Sequence, residues 1–276
     1  MSQHTRSLIP LLALLCLIGS VVPASAAPSA QATGYLSAQY FTWREYSEGR
    51  RLLEETGPVY AGGAVLDLLL TPERPHSLVL RGKAELFGGV VDYNGETQAP
   101  NPVPVQTRVS YLGTRQELDL GVRHAAADWT LEPFLGLGYR WWLRGLQDST
   151  STAGDPVSGY TEYWQTFYAR LGGRARYHAA SGVTLFAEAG GKYPLYTGNT
   201  VDFVGSGKTT FRPDPLWSAF AETGASWRHL KVSASYEGFR FDASPVVVIN
   251  SNSGPKPFFQ PVSSSDLFGL NLGWTF

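Results

Sequence analysis

The stretch 267-LFGLNLGWTF-276 decides the fold. Phe268, Leu270, Leu272, Trp274 and Phe276 occupy every second position up to the last residue. Side chains alternate faces along a strand, so these five share one face. Soluble chains commonly fray into polar residues at their ends. A strand that is apolar along one whole face at this position needs apolar surroundings along that face.

The same alternation recurs upstream. In 77-SLVLRGKAELFGGVV-91, Leu78, Leu80, Ala84, Leu86 and Val90 oppose Arg81, Lys83 and Glu85. In 115-RQELDLGVR-123, Leu118, Leu120 and Val122 oppose Arg115, Glu117 and Asp119. In 167-FYARLGGRARYH-178, Phe167, Ala169, Leu171 and Ala175 oppose Arg170, Arg174 and Arg176. In 183-VTLFAEAGGK-192, Leu185, Ala187 and Ala189 oppose Glu188 and Lys192. A period of two with no sustained helical period predicts an all-β chain.

Ten strands are predicted, over 34–44, 59–70, 78–91, 107–123, 129–144, 163–178, 183–194, 216–228, 230–242 and 265–276. Connections near 71–77, 124–128, 179–182 and 229 are short. Those near 45–58, 92–106, 145–162, 195–215 and 243–264 are long and rich in Gly, Pro, Ser, Asn and Asp. Long and short alternate, which puts every long loop at one end of an antiparallel up-and-down barrel.

Such a barrel could hide its apolar face inside or turn it outward to lipid. The apolar face is rich in Gly and Ala, which pack poorly as a barrel core. The strands exceed the five or six residues usual in soluble sheets and suit a tilted membrane span. Tyr40, Trp43, Trp129, Trp141, Tyr163, Trp164, Tyr177, Trp217, Trp227 and Trp274 sit near strand ends, where interfacial girdles form. Closure would also satisfy every backbone group in lipid. The reading is a transmembrane β-barrel.

The start of the chain fits export. Arg6 precedes an apolar run from Leu8 to Val22 and the small-x-small sequence Ala24-Ser25-Ala26, the pattern of a cleaved signal peptide. The expected organisation is a signal over 1–26 and a single barrel domain over 27–276. Cys16 is the sole cysteine, so the mature chain would have no disulfide, thiol catalyst or cysteine metal site. A net charge of -1 gives no reason to expect a nucleic-acid partner.

Taken together, these features resemble the Gram-negative bacterial outer-membrane β-barrel superfamily. The resemblance implies an outer-membrane location with lipid and lipopolysaccharide as surroundings, short periplasmic turns and long external loops. It also implies that Phe268, Leu270, Leu272, Trp274 and Phe276 form the signal read by the barrel-assembly machinery.

Positions expected to face the lumen carry both signs: Arg81, Lys83, Glu85, Arg115, Glu117, Asp119, Arg140, Arg144, Arg170, Arg174, Glu188 and Glu222. They read either as an ion-pair network filling the barrel or as the lining of a narrow porin-like channel. Basic residues exceed acidic ones around strands five and six, so anions are the expected cargo of such a channel. The alternative is a surface-binding barrel that uses external hairpins within 195–215 and 243–264. There Val201, Phe203, Thr209 and Phe211 flank Gly-Ser-Gly, which reads as a hairpin rather than a phosphate loop.

An outer-membrane hydrolase ranks third. Barrels of this size include omptin proteases and lipid A-modifying enzymes, and such chemistry needs a base within reach. His76, His124, His178 and His229 all fall at the short-turn end, so no external histidine is expected. Glu45, Glu54, Glu55, Asp155, Glu162 and Asp214 read as scattered, solvated loop charges. The histidine-bearing turns should lie roughly 10 Å apart around the rim, too far for one zinc. The expectation is no catalysis, no metal and no cofactor.

Overall fold

A computed structural model describes residues 29–72, 76–97, 102–203, 207–251 and 254–276. The expected signal over 1–26 lies outside the described residues. Ten long strands form the wall: β1 (Ser29–Ser47), β2 (Arg50–Leu69), β3 (His76–Glu96), β4 (Pro104–Ala126), β5 (Trp129–Leu146), β6 (Thr161–His178), β7 (Val183–Phe203), β8 (Ser218–Trp227), β9 (Leu230–Phe241) and β10 (Val262–Thr275). Each pairs antiparallel with its neighbours in sequence, and β10 pairs with β1 from Thr33↔Thr275 to Tyr46↔Val262. The wall is closed, so no strand edge faces lipid.

The outer face is apolar. Leu36, Leu118, Leu135, Leu171, Leu185 and Leu270 are all exposed there. Aromatic pairs bound this belt: Tyr236 against Phe268 at 5.0 Å on one side, Trp129 against Tyr177 at 5.1 Å on the other. Beyond Tyr40 and Phe268 the outer face changes character, with ion pairs Arg44–Glu54 at 2.6 Å and Arg240–Asp266 at 2.5 Å. Charged pairs on the outside of the wall put the edge of the hydrocarbon just below them.

The external end departs from the sequence reading. The expected loop over 45–58 is strand: β1 and β2 stay paired to Ser47↔Arg50 and turn on Glu48 and Gly49. Both turn residues have positive φ, 52° and 77°, the I′ geometry that matches strand twist. Most of the expected loop over 92–106 is also strand, with pairing to Glu96↔Pro104. These arms stand in water on the outside, so the apolar alternation that marks the membrane span stops while the pairing continues. The two expected hairpins are present: β7 pairs with Gly207–Phe211, and Val247–Ser251 pairs with Gly254–Phe258.

One more expectation is corrected at the opposite rim. His76 and His124 face each other in the β3–β4 register, with ring nitrogens 3.1 Å apart. They terminate adjacent strands, so the spacing between successive turns does not apply to them.

Candidate functional site: a layered lumen beneath an external vestibule

The interior has three layers, each set by which inward positions share a cross-strand row. The layer nearest the short turns is ionic. Arg170 pairs with Glu117, with Glu188 at 2.9 Å and with Asp119 at 3.5 Å. Arg174 pairs with Asp119, with Glu188 at 2.7 Å and with Glu132 at 2.8 Å. Arg115 bridges Glu85 at 2.9 Å and Glu237 at 2.8 Å. Lys231 meets Glu222 at 2.8 Å, and Arg81 lies 3.6 Å from Asp67. Gly136 and Gly138 on β5 make this possible: a Cβ would strike Asp119 at the first and the Tyr168 ring at the second. Tyr168 therefore lies across the wall and donates its hydroxyl to Glu117 at 2.7 Å.

These contacts place eleven of the twelve residues expected in the lumen beside a cavity of about 160 Å³. Arg144 is the twelfth and belongs elsewhere. Lys83 and Arg140 line the cavity but have no carboxylate within 4.0 Å among the described residues.

The middle layer is aromatic. Trp142 stacks on Trp164 with centroids 5.3 Å apart, and Trp43 meets Trp164 edge-on at 5.1 Å. Phe241 closes on Trp164 at 5.8 Å, while Phe239 meets Tyr168 at 5.5 Å. These rings come from β1, β5, β6 and β9, so they span the lumen from opposite walls. None is more than 2% exposed.

Above them lies a second charged cluster, which sequence reading missed. Arg144, 1% exposed, pairs with Glu55, with Glu162 at 2.8 Å and with Glu45 at 3.5 Å. The aromatic layer is tied to it: Trp43 Nε1 donates to Glu45 at 2.9 Å and Trp164 Nε1 to Glu162 at 2.7 Å. Tyr111 donates its hydroxyl to Glu55. The sequence carried a sign of this in Trp43-x-Glu45 and Glu162-x-Trp164, pairs two apart on one strand face. Three carboxylates share one guanidinium here. Burial pushes the Glu45 carboxyl up to about 7; Arg144 opposes the rise and Glu162 adds to it.

Outside this floor opens a vestibule of about 1020 Å³. Glu45 and Glu162 form its base, and Leu53, Val105, Phe211 and Phe258 are among its walls. Both external hairpins contribute to it: Val201 and Phe211 pack with Ile249 and Phe258.

No family model and no curated protein matches the sequence. Among solved structures the chain is similar to the outer membrane protease OmpT of Escherichia coli. Identity is 12% and the TM-score 0.53, over 92% of this chain and 99% of that one. It is also similar to the β domain of the Bordetella autotransporter BrkA, at 17% identity and TM-score 0.39 over 89% and 100% of the two chains. The translocator domain of the autotransporter NalP from Neisseria meningitidis follows at 11% and 0.40, over 89% and 88%.

The likeness to OmpT overturns the expectation of no catalysis. OmpT is an outer membrane protease, and its barrel is matched over 99% of its length. The position of the four histidines therefore does not exclude an enzyme. A closed wall, an apolar outer belt, a charged interior and this match in architecture give the chain the fold of an outer-membrane β-barrel, with ten strands.

Proposed function

We propose that the protein is a ligand-binding barrel whose external vestibule receives a molecule with an apolar body and a cationic end. The observation that carries this reading is the vestibule itself: apolar walls converge on a base with more carboxylates than cations. Concave apolar sites with a few placed polar groups are the usual form of small-ligand sites. The aromatic layer below would stop the ligand and keep the floor dry. The residues expected in the lumen act in this reading as a structural filling that holds the wall in shape. Lipopolysaccharide surrounds the barrel, and the face from Phe268 to Phe276 is the signal to the assembly machinery.

The test uses refolded protein in detergent and two fluorescent probes of equal chain length, a dansyl alkylammonium and a dansyl alkylcarboxylate. The alkylammonium should bind in a saturable way, and Glu162→Gln should weaken it several-fold. Equal binding of the two probes would reject the reading.

A narrow anion channel is the second reading, favoured by the surplus of basic groups beside the lumenal cavity. It requires Trp142 and Trp164 to leave their stacked positions.

A further inference from the structure

Arg140 is buried in the lumen, 4% exposed. Among the described residues, with Lys83 it is one of two cations without a close carboxylate in a layer where nearly every other charge is paired. Phe87, Trp142 and Phe239 surround its guanidinium, with centroids 4.7–4.9 Å away. Rings stabilise a cation but supply no negative charge. Among the described residues no carboxylate lies within 4.0 Å of it and no hydrogen bond satisfies its five donors. A buried charge without a partner is costly, and the usual remedies are a counter-charge or a ligand.

Two buried hydroxyls lie in its cross-strand row. Arg140 lies between Arg115 and Thr166 in the cross-strand register, and Thr166 in turn faces Thr197. The hydroxyls of Thr166 and Thr197 are buried and have no hydrogen-bond partner. Arg140 also lines the 160 Å³ cavity, whose wall carries eight basic and seven acidic side chains. Lys83, the other cation there without a close carboxylate, lines the same space. The cavity extends from Thr184, Ser226 and Thr275, near the short turns, to Phe87 and Arg140 under the aromatic layer. Small solutes would enter from the periplasmic side.

We infer that this cavity is a site for a small inorganic anion, held against the Arg140 guanidinium, with the Lys83 ammonium lining the same space. A halide suits the place: it needs donors only, and the cavity offers two cations without a close carboxylate, Arg140 and Lys83. The anion neutralises the surplus charge of the lumen and satisfies a cation that the protein leaves alone.

Crystals of the full refolded protein grown in sodium bromide test this by anomalous diffraction. A bromide peak within hydrogen-bonding distance of the Arg140 guanidinium is expected, and it should vanish in Arg140→Met. In solution, bromide at constant ionic strength, exchanged for gluconate, should raise the unfolding temperature of the wild-type barrel in a saturable way. That measurement stands even where the variant fails to fold. No bromide at Arg140, an unfolding temperature indifferent to the anion, or an unchanged response in a folded Arg140→Met barrel would overturn the inference.

Discussion

Glu45 shows how one side chain can set the behaviour of a surface. It lies above the outer-face pair Arg44–Glu54, hence beyond the hydrocarbon, yet it is buried at the base of the vestibule. Its carboxyl, pushed up to about 7, is charged with difficulty in the folded barrel. For a carboxylate raised on folding, the unfolded chain loses its proton first. Stability therefore falls as pH rises from the ordinary carboxylate range to about 7 and is level above it. The loss is about 3 kcal/mol. Urea unfolding of the detergent-folded protein between pH 4.5 and 8 should record this slope, and Glu45→Gln should flatten it. A slope of opposite sign, or an unchanged one in the variant, would exclude Glu45 as the group responsible. Ionised Glu45 also favours a cation, so alkylammonium affinity should rise across the same interval.

At the level of the strand, the membrane span was legible and the extramembrane arms were not. Leu118, Leu120 and Val122 alternate with Glu117, Asp119 and Arg123 because one medium is lipid and the other is the lumen. On Arg44, Glu45 and Tyr46 both sides are polar, so the pattern carries no facing information even though the strand continues. For the same reason Glu45, Glu55 and Glu162 read as separate loop charges. Glu162 faces Arg144 across adjacent strands, but Glu45 and Glu55 reach it from the far side of the barrel, which periodicity cannot supply. The inward rows carry a testable consequence. Leu118→Arg or Leu171→Arg should cost about 2–4 kcal/mol near the midplane. Reversal of a lumenal charge, as in Glu188→Lys, should leave insertion intact and perturb the ion pairs with Arg170 and Arg174. Single cysteines at these positions, read by lipid-borne spin quenchers, separate the two faces. Quenching at Glu188 with none at Leu171 would invert the assignment.

For the molecule as a whole, the two cavities face opposite sides and the aromatic layer divides them. The wild-type protein in a planar bilayer should show no sustained conductance. Trp142→Ala combined with Trp164→Ala removes two fully buried rings from the partition and should produce open events. Retention of the compact, heat-modifiable form on gels would show that the variant is still a barrel. Steady conductance in the wild type would make the layer a gate rather than a wall.

The seam between β1 and β10 bears on the order in which the strands are encoded. The Phe276 amide donates to the Ala32 carbonyl at 2.9 Å, so the first and last strands leave the wall side by side. A short Gly/Ser linker could join them, with new termini opened at the Arg228–His229 turn on the same rim. Such a circular permutant preserves every neighbour in the wall but finishes on β8, whose outward series is Ala219, Ala221, Thr223, Ala225 and Trp227. Refolded from urea into detergent, it should regain the native barrel, because pairing does not depend on where translation starts. Under the proposal that the series from Phe268 to Phe276 is the assembly signal, it should accumulate unassembled in cells while keeping its thermodynamics. Equal assembly of the permutant and the parent in cells would show that the address is not at the end of the chain.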